Sequence, residues 1–293
     1  MKTEHSLSYI QSLLPHSLHP YLTNTTEEIR FRRNREVMFL SSEEEMISPV
    51  ISDRDFMEEL LDRLTQSSIY TYSDNITEGY LTLEGGHRIG ICGTGVYQKG
   101  VLSDVRDISS VNFRIAHEVK GCAEKVFHTV QAEKTLPGIL IISPPGCGKT
   151  TLLRDVIRLF SNEIPKIKVA VVDERNELSG TYRGTSHNDL GRRTDILNGY
   201  QKSDGIRRAV RSLSPTLIGV DEIGSPEDEE SLLYAHFAGV RVIATVHGNQ
   251  DGMFQKNIAR LTKEKVFDYY IYLSQKNPAN RIESIQKVGE HPL

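Results

Sequence analysis

The apolar run Gly138-Ile-Leu-Ile-Ile142 leads directly into Ser143-Pro-Pro-Gly-Cys-Gly-Lys-Thr150 and then into Thr151-Leu-Leu-Arg-Asp-Val-Ile-Arg-Leu-Phe160. Buried strand, turn of small residues and amphipathic helix, in that order, are the setting in which a phosphate-binding loop works, and few folds contain it. The residue types follow from the chemistry. Backbone N–H groups of the turn wrap phosphate oxygens, and the helix N-terminus adds a positive field. The loop residues expected to hold nucleotide are Ser143, Pro144, Pro145, Gly146, Cys147, Gly148, Lys149, Thr150 and Thr151. Lys149 is placed to reach the β- and γ-phosphates, and the Thr150 hydroxyl suits a Mg2+ ion, so the expected cofactors are ATP and Mg2+.

The loop opens with Ser143 where the usual pattern has Gly. A Cβ at a site needing positive φ would cost roughly 1–2 kcal/mol. Pro144 follows, however, and a residue before proline is driven to extended backbone, where Ser is unstrained. Cys147 is expected to contribute its backbone N–H, with a thiol open to oxidation or alkylation.

At 293 residues the chain has room for about two domains. The first, 1–117, mixes elements: a helix near Ser6–Leu14, strands near Glu28–Phe31 and Glu36–Leu40, and a helix from Asp53 to Thr65 with Phe56, Met57, Leu60, Leu61 and Leu64 on one face. Strands are expected near Ile69–Tyr72, His87–Cys92 and Ser110–Ile115, giving a small α+β domain. A helix near Glu118–Gln131 begins the second domain, 118–293. There, strands at Ile139–Ser143, Ile167–Val172, Leu217–Asp221 and Val240–Val246 alternate with helices, the pattern of a mostly parallel sheet. Ser203–Leu213 is one such helix. Ser225-Pro-Glu-Asp-Glu-Glu230 starts another with a cap, a proline and acids against the dipole.

A net charge of −4 gives no global attraction to nucleic acid, and three cysteines at wide spacings form neither a disulfide framework nor a zinc site. The N-terminus lacks a signal-peptide pattern, and no apolar run approaches the ~20 residues of a membrane span, so a cytoplasmic protein is expected.

A second set of residues completes a hydrolytic site. Leu217-Ile-Gly-Val-Asp221-Glu222 reads as a buried strand ending in acids: Asp221 for the Mg2+ shell, Glu222 to orient or deprotonate the attacking water. Val242-Ile-Ala-Thr245-Val-His247-Gly248 ends another strand, with Thr245 and His247 on one side to sense the γ-phosphate or hold the water. The expected catalytic residues are therefore Glu222, Lys149, His247 and Thr245, and the metal residues Thr150 and Asp221. Asp173 and Glu174 end a further strand and either assist the ion or the water, or pair with Arg175. Arg192 and Arg193 either contact phosphate or belong to a solvated, salt-bridged loop. If the strand ending at Asp173 lies between loop strand and acidic strand in the sheet, the core is of the additional-catalytic-Glu subclass.

Taken together, Pro144-Pro-Gly-Cys-Gly-Lys-Thr-Thr-Leu-Leu-Arg-Asp155, Asp173-Glu-Arg-Asn-Glu177, Arg193-Thr-Asp-Ile-Leu197, Arg211-Ser-Leu-Ser-Pro215, Asp221-Glu-Ile-Gly224 and Thr245-Val-His-Gly248 resemble the stage III sporulation protein AA family, related to the secretion traffic ATPases. Glu27-Glu-Ile-Arg-Phe-Arg32 and Gly86-His-Arg-Ile-Gly90 are similar to that family's N-terminal part. The resemblance implies an α/β, RecA-like phosphate-loop ATPase core behind an α+β domain, acting in the mother cell of an endospore former. It implies a homo-hexamer docked, through membrane proteins of a sporulation channel, on the inner face of the membrane, with an arginine from the N-terminal domain completing each site. Arg88, Arg106 and Arg114 are the candidates. Two other functions compete: a ring glued by nucleotide without turnover, and a nucleic-acid motor. Arg30-Phe-Arg-Arg-Asn-Arg35 and Arg207-Arg-Ala-Val-Arg211 favour the motor; the acidic net charge and the absence of a DNA-reading module oppose it.

Overall fold

The computed structural model describes residues 2–65, 79–117, 119–131, 133, 135–249, 258–274 and 281–289. The chain forms two compact units: Met1–Glu118 together with Gly180–His187, and Val119–Ser179 together with Asn188–Leu293. The second unit thus lends an eight-residue excursion to the first. Its neck is closed by Asn188, whose backbone N–H donates to the Ser179 carbonyl at 3.0 Å.

The first unit carries a sheet in the order β3-β2-β1-β6-β5-β4, paired antiparallel throughout. In β1 (Glu28–Arg32), Ile29 and Phe31 are fully buried while Arg30 and Arg32 take the opposite face. Arg30 is paired locally with Glu28 at 2.7 Å, so the basic run begins as one face of a strand. β2 (Glu36–Leu40) repeats the alternation. The helix Arg54–Leu64 starts on Asp53, whose carboxylate accepts the Phe56 N–H, and it buries Met57, Leu60 and Leu64 in the core shared with Phe39 and Phe113.

Three features of this sheet were not legible beforehand. β3 (Glu45–Ile51) contains Pro49, which argues against a strand, but β3 is the sheet edge, where the missing donor costs nothing. β4 (Tyr80–Thr82) is too short to show a period. β5 (Arg88–Gln98) and β6 (Val101–Arg114) extend well past the predicted 87–92 and 110–115, because the outer half of β5 (Cys92–Gln98) buries no residue. Without a buried face there is no alternation to read. The expected strand Ile69–Tyr72 lies outside the described residues.

The second unit carries a sheet in the order β13-β12-β7-β11-β10-β8-β9. Strands β12 (Tyr269–Leu273), β7 (Ile139–Ser143), β11 (Arg241–His247), β10 (Leu217–Val220), β8 (Val169–Asp173) and β9 (Thr194–Asn198) are parallel, and β13 (Ile282–Lys287) closes the edge antiparallel. Every residue of β7, β8, β10 and β12 is buried, as expected of strands covered on both faces. The helices Lys202–Ser212 and Pro226–Phe237 cover one face through Ile206, Ala209, Leu232 and Leu233. The helices Glu124–Val130 and Lys149–Glu163 cover the other through Val126, Phe127, Val156 and Phe160. Gly219 lets the second of these approach: a Cβ there would stand 2.5 Å from Ile157 Cδ1.

The order corrects one expectation. β8 does not lie between the loop strand β7 and the acidic strand β10; it lies on the far side of β10. The strand inserted between them is β11, so the subclass condition is met by the strand that ends in Thr245 and His247. Sequence order and sheet order differ because each crossover helix can carry the chain past a neighbour.

Candidate active site

Because β7, β8, β10 and β11 are parallel, their C-terminal ends share one edge of the sheet, where Ser143, Asp173, Asp221 and His247 gather. Ser143 closes β7 in extended backbone, pairs in register with His247, and donates its hydroxyl to the Pro144 carbonyl at 2.8 Å. The serine therefore sits in the unstrained conformation that Pro144 favours. The turn is made by Gly146 and Gly148, at φ 74° and 86°, left-handed values that a side chain would resist. Gly148 is the N-cap of the helix Lys149–Glu163, whose first turn carries no acid and no side-chain cap. Its amide donors and positive end face the loop without compensation, the arrangement an anion completes. Cys147 is buried in the apolar cluster beneath the loop at 1% exposure, which removes its thiol from the reagents the sequence left open to it.

The acidic strand meets the loop directly. Thr150 Oγ1 donates to Asp221 Oδ2 at 2.6 Å. Lys149 is 6% exposed, and its Nζ lies 3.2 Å from His247 Nδ1. An ammonium has no lone pair, so Nδ1 accepts and the ring proton stands on Nε2, which donates to Glu222 Oε1 at 3.2 Å. The other carboxylate oxygen of Glu222 takes Arg175 Nη1 at 2.7 Å. Glu222 itself has left-handed backbone, φ 49°, a conformation costly for a non-glycine residue. Its N–H donates to Thr245 Oγ1 at 2.8 Å, and that hydroxyl in turn donates to Asp221 Oδ1.

Thr245 therefore stands elsewhere than the sequence placed it. It is fully buried, with its hydroxyl engaged between Asp221 and the Glu222 amide, beneath the acids instead of facing a phosphate. His247, by contrast, is exposed at the strand end and touches both Lys149 and Glu222. Strand alternation put the two side chains on one side correctly; only packing decides which of them reaches the crevice.

Asp173 is also structural. It is 3% exposed, and its carboxylate accepts the Glu177 amide at 2.9 Å and the Ser179 amide and hydroxyl at 2.7 Å, tying down the loop that follows β8. Arg154, from the helix Lys149–Glu163, holds the same loop by the carbonyls of Glu177 and Leu178 at 2.8 and 3.0 Å. Glu174 pairs with Lys202 at 2.9 Å. Arg193 donates to the carbonyls of Ser161 and Asn162 at 2.7 and 3.0 Å, at the end of the helix opposite the loop of its own subunit. Arg175 was missed as a partner of Glu222: 47 positions separate them, and no local pattern reports such a contact.

The groups present fit a magnesium nucleotide. The glycine turn and the uncapped helix start suit an anion, and Thr150 and Asp221 place a hydroxyl and a carboxylate, both hard oxygen ligands, side by side. Val172, Asp173, Glu174, Arg175, Lys202 and Glu222 line the adjoining cleft.

Known proteins agree with this reading of the fold. The chain is 36% identical to the Stage III sporulation protein AA of Bacillus subtilis (strain 168), over 97% of this chain and 96% of that one. Among solved structures, the ATPase DotB of Legionella pneumophila is similar with a TM-score of 0.57 at 15% identity, over 92% of this chain and 75% of that one. The pilus retraction motor PilT with bound ADP gives 0.56 at 14%, over 92% and 77%. These likenesses establish a RecA-like fold. The profile of the family Sporulation stage III, protein AA matches residues 9–290, nearly the whole chain, and with the relative above it shows that this protein belongs to that family.

Proposed function

We propose that this chain is a Mg2+-dependent ATP hydrolase, working as a homo-hexamer that drives assembly of, or transport through, a channel between mother cell and forespore. The observation that carries the hydrolytic reading is the 2.6 Å bond between Thr150 and Asp221, which joins the phosphate loop to the acidic strand. A bound Mg2+ would supply charge neutralisation between the phosphates, and Thr150 and Asp221 are the groups that would hold it. Lys149 binds the phosphates, leaving His247 to do so. Glu222 orients water and takes its proton on a carboxylate oxygen. Both of its oxygens are already fixed, by His247 and Arg175, and each keeps a second lone pair for the water. Thr245 acts through others: it sets the positions of Asp221 and of the Glu222 backbone.

Steady-state phosphate release by the purified protein tests the reading. Lys149→Ala should lose nucleotide binding. Glu222→Gln should keep binding and lose roughly 10²-fold or more in turnover, the usual weight of a general base. Turnover at the wild-type rate in Glu222→Gln would defeat the mechanism. Absence of phosphate release by the wild-type hexamer above that variant's background would favour a nucleotide-gated assembly module. Steeply salt-dependent DNA binding would support the motor; the pairing of Arg30 with Glu28 and of Arg207 with Glu230 speaks against it.

A further inference from the structure

The helix Lys149–Glu163 begins beside a cation that the hydrolytic reading does not use. Arg281 precedes β13, and a methyl carbon built on Gly148 would stand 3.0 Å from its Nη1 and 3.7 Å from its Cδ. Its guanidinium therefore lies against the backbone of the phosphate loop. Its main chain is pinned: the Arg281 carbonyl accepts the Ser274 N–H at 2.9 Å, continuing the pairing of β12 with β13. Among the described residues, the guanidinium has no hydrogen-bond or ion-pair partner. An exposed arginine of this kind would ordinarily swing to the nearest acid or into water. Here it stands beside Gly148, at the positive end of a 15-residue helix that begins with Lys149 and has no acid in its first turn. The helix dipole repels it. The arrangement is unfavourable until an anion arrives, and an anion of more than one charge would satisfy all three.

We infer that Arg281 is a phosphate-binding residue of the same subunit's nucleotide site, closing over the loop from the sheet edge and adding a charge-assisted hydrogen bond to a polyphosphate. This rests on the reading of the loop as a nucleotide site. It assigns the β12–β13 edge a part in binding that neither the loop motif nor the acidic strand suggests. A guanidinium suits the task because it presents several donors in one plane and never loses its charge.

The test is the affinity of the full chain for ATP and for inorganic tripolyphosphate, measured by calorimetry on wild type, Arg281→Ala, Arg281→Lys and Lys149→Ala. Arg281 is exposed, so its variants should keep the wild-type melting temperature. Arg281→Ala is expected to weaken both ligands by about tenfold, the scale of one exposed charge-assisted hydrogen bond, and Arg281→Lys by less. Unchanged affinity in Arg281→Ala, with wild type binding and Lys149→Ala not, would overturn this inference and leave the function standing. A loss for ATP without a loss for tripolyphosphate would also overturn it, placing Arg281 on the base. No binding of either ligand by wild type would overturn both.

Discussion

At the scale of the residue, the most informative side chain is one that no ligand would touch. Thr245 is fully buried and serves two acids at once: its hydroxyl accepts from the Glu222 amide and donates to Asp221. Thr245→Val keeps the shape and removes both bonds, so we expect a loss of about 1–3 kcal/mol in stability. Turnover should fall while nucleotide binding stays, and Thr245→Ser should restore both; calorimetric melting and phosphate release read the two effects. A variant with wild-type turnover would exclude the positioning role. The cysteines differ as sharply. Burial, with Asp155 beside it, pushes the Cys122 thiol up to about 12, Cys147 is enclosed, and Cys92 is exposed. Labelling at pH 8 should therefore modify Cys92 first, with the other two reacting on unfolding. An unfolded thiol releases its proton near 9.0, whereas folded Cys122 holds its proton to about 12. Between those values the folded state binds more protons, so stability falls as pH rises through that window. Cys122→Ala should flatten the alkaline slope of the melting curve.

At the scale of the element, sequence patterns were legible wherever a strand or helix has two unlike faces or a strong cap. The helix Pro226–Phe237 begins where Ser225 and its acids predicted, with a complete capping box between Ser225 and Asp228. Ser225→Ala should cost about 1 kcal/mol, measurable by denaturant unfolding. Elements without such contrast escaped: the outer β5–β6 hairpin, which buries neither face, and β9, whose pattern of one buried residue shows no period. Gly219 marks a contact that sequence reading passed over as an ordinary strand residue. A Cβ there would meet Ile157, on the helix that follows the phosphate loop. Gly219→Ala should destabilise by about 1–3 kcal/mol through overpacking, and should also disturb the loop helix and weaken nucleotide binding. Truncating Ile157 to Val in the same chain should recover part of the loss.

At the scale of the whole molecule, the proposed ring asks for cations from a neighbouring subunit. Arg88 and Arg114 oppose each other directly across β5 and β6, while Arg106 is already paired with Asp104 at 3.0 Å. Because Arg106 is held by Asp104, we expect Arg114→Ala to reduce turnover more than Arg106→Ala. The mass of the assembly with a slowly hydrolysed ATP analogue checks the ring itself, and a strict monomer under every condition would remove the shared site. Mixed rings of wild-type and Lys149→Ala chains should lose activity more steeply than in proportion to the inactive fraction if subunits act in concert.

Local sequence was enough for the phosphate loop, the acidic strand end, the alternation of strands and helices, and the family, because each of these is written in neighbouring residues or in a fixed period. Tertiary structure alone decided that β11 and not β8 separates loop from acids, and that Thr245 supports Asp221 from below. It also decided that Asp173 ties down a loop, and that Arg175 and Arg281 come to the site from distant parts of the chain. Apart from the Asp173 loop, whose partners lie four and six residues on, these are contacts between segments tens to more than a hundred residues apart, set by the order in which strands enter the sheet. No local pattern of charge or hydrophobicity encodes that order.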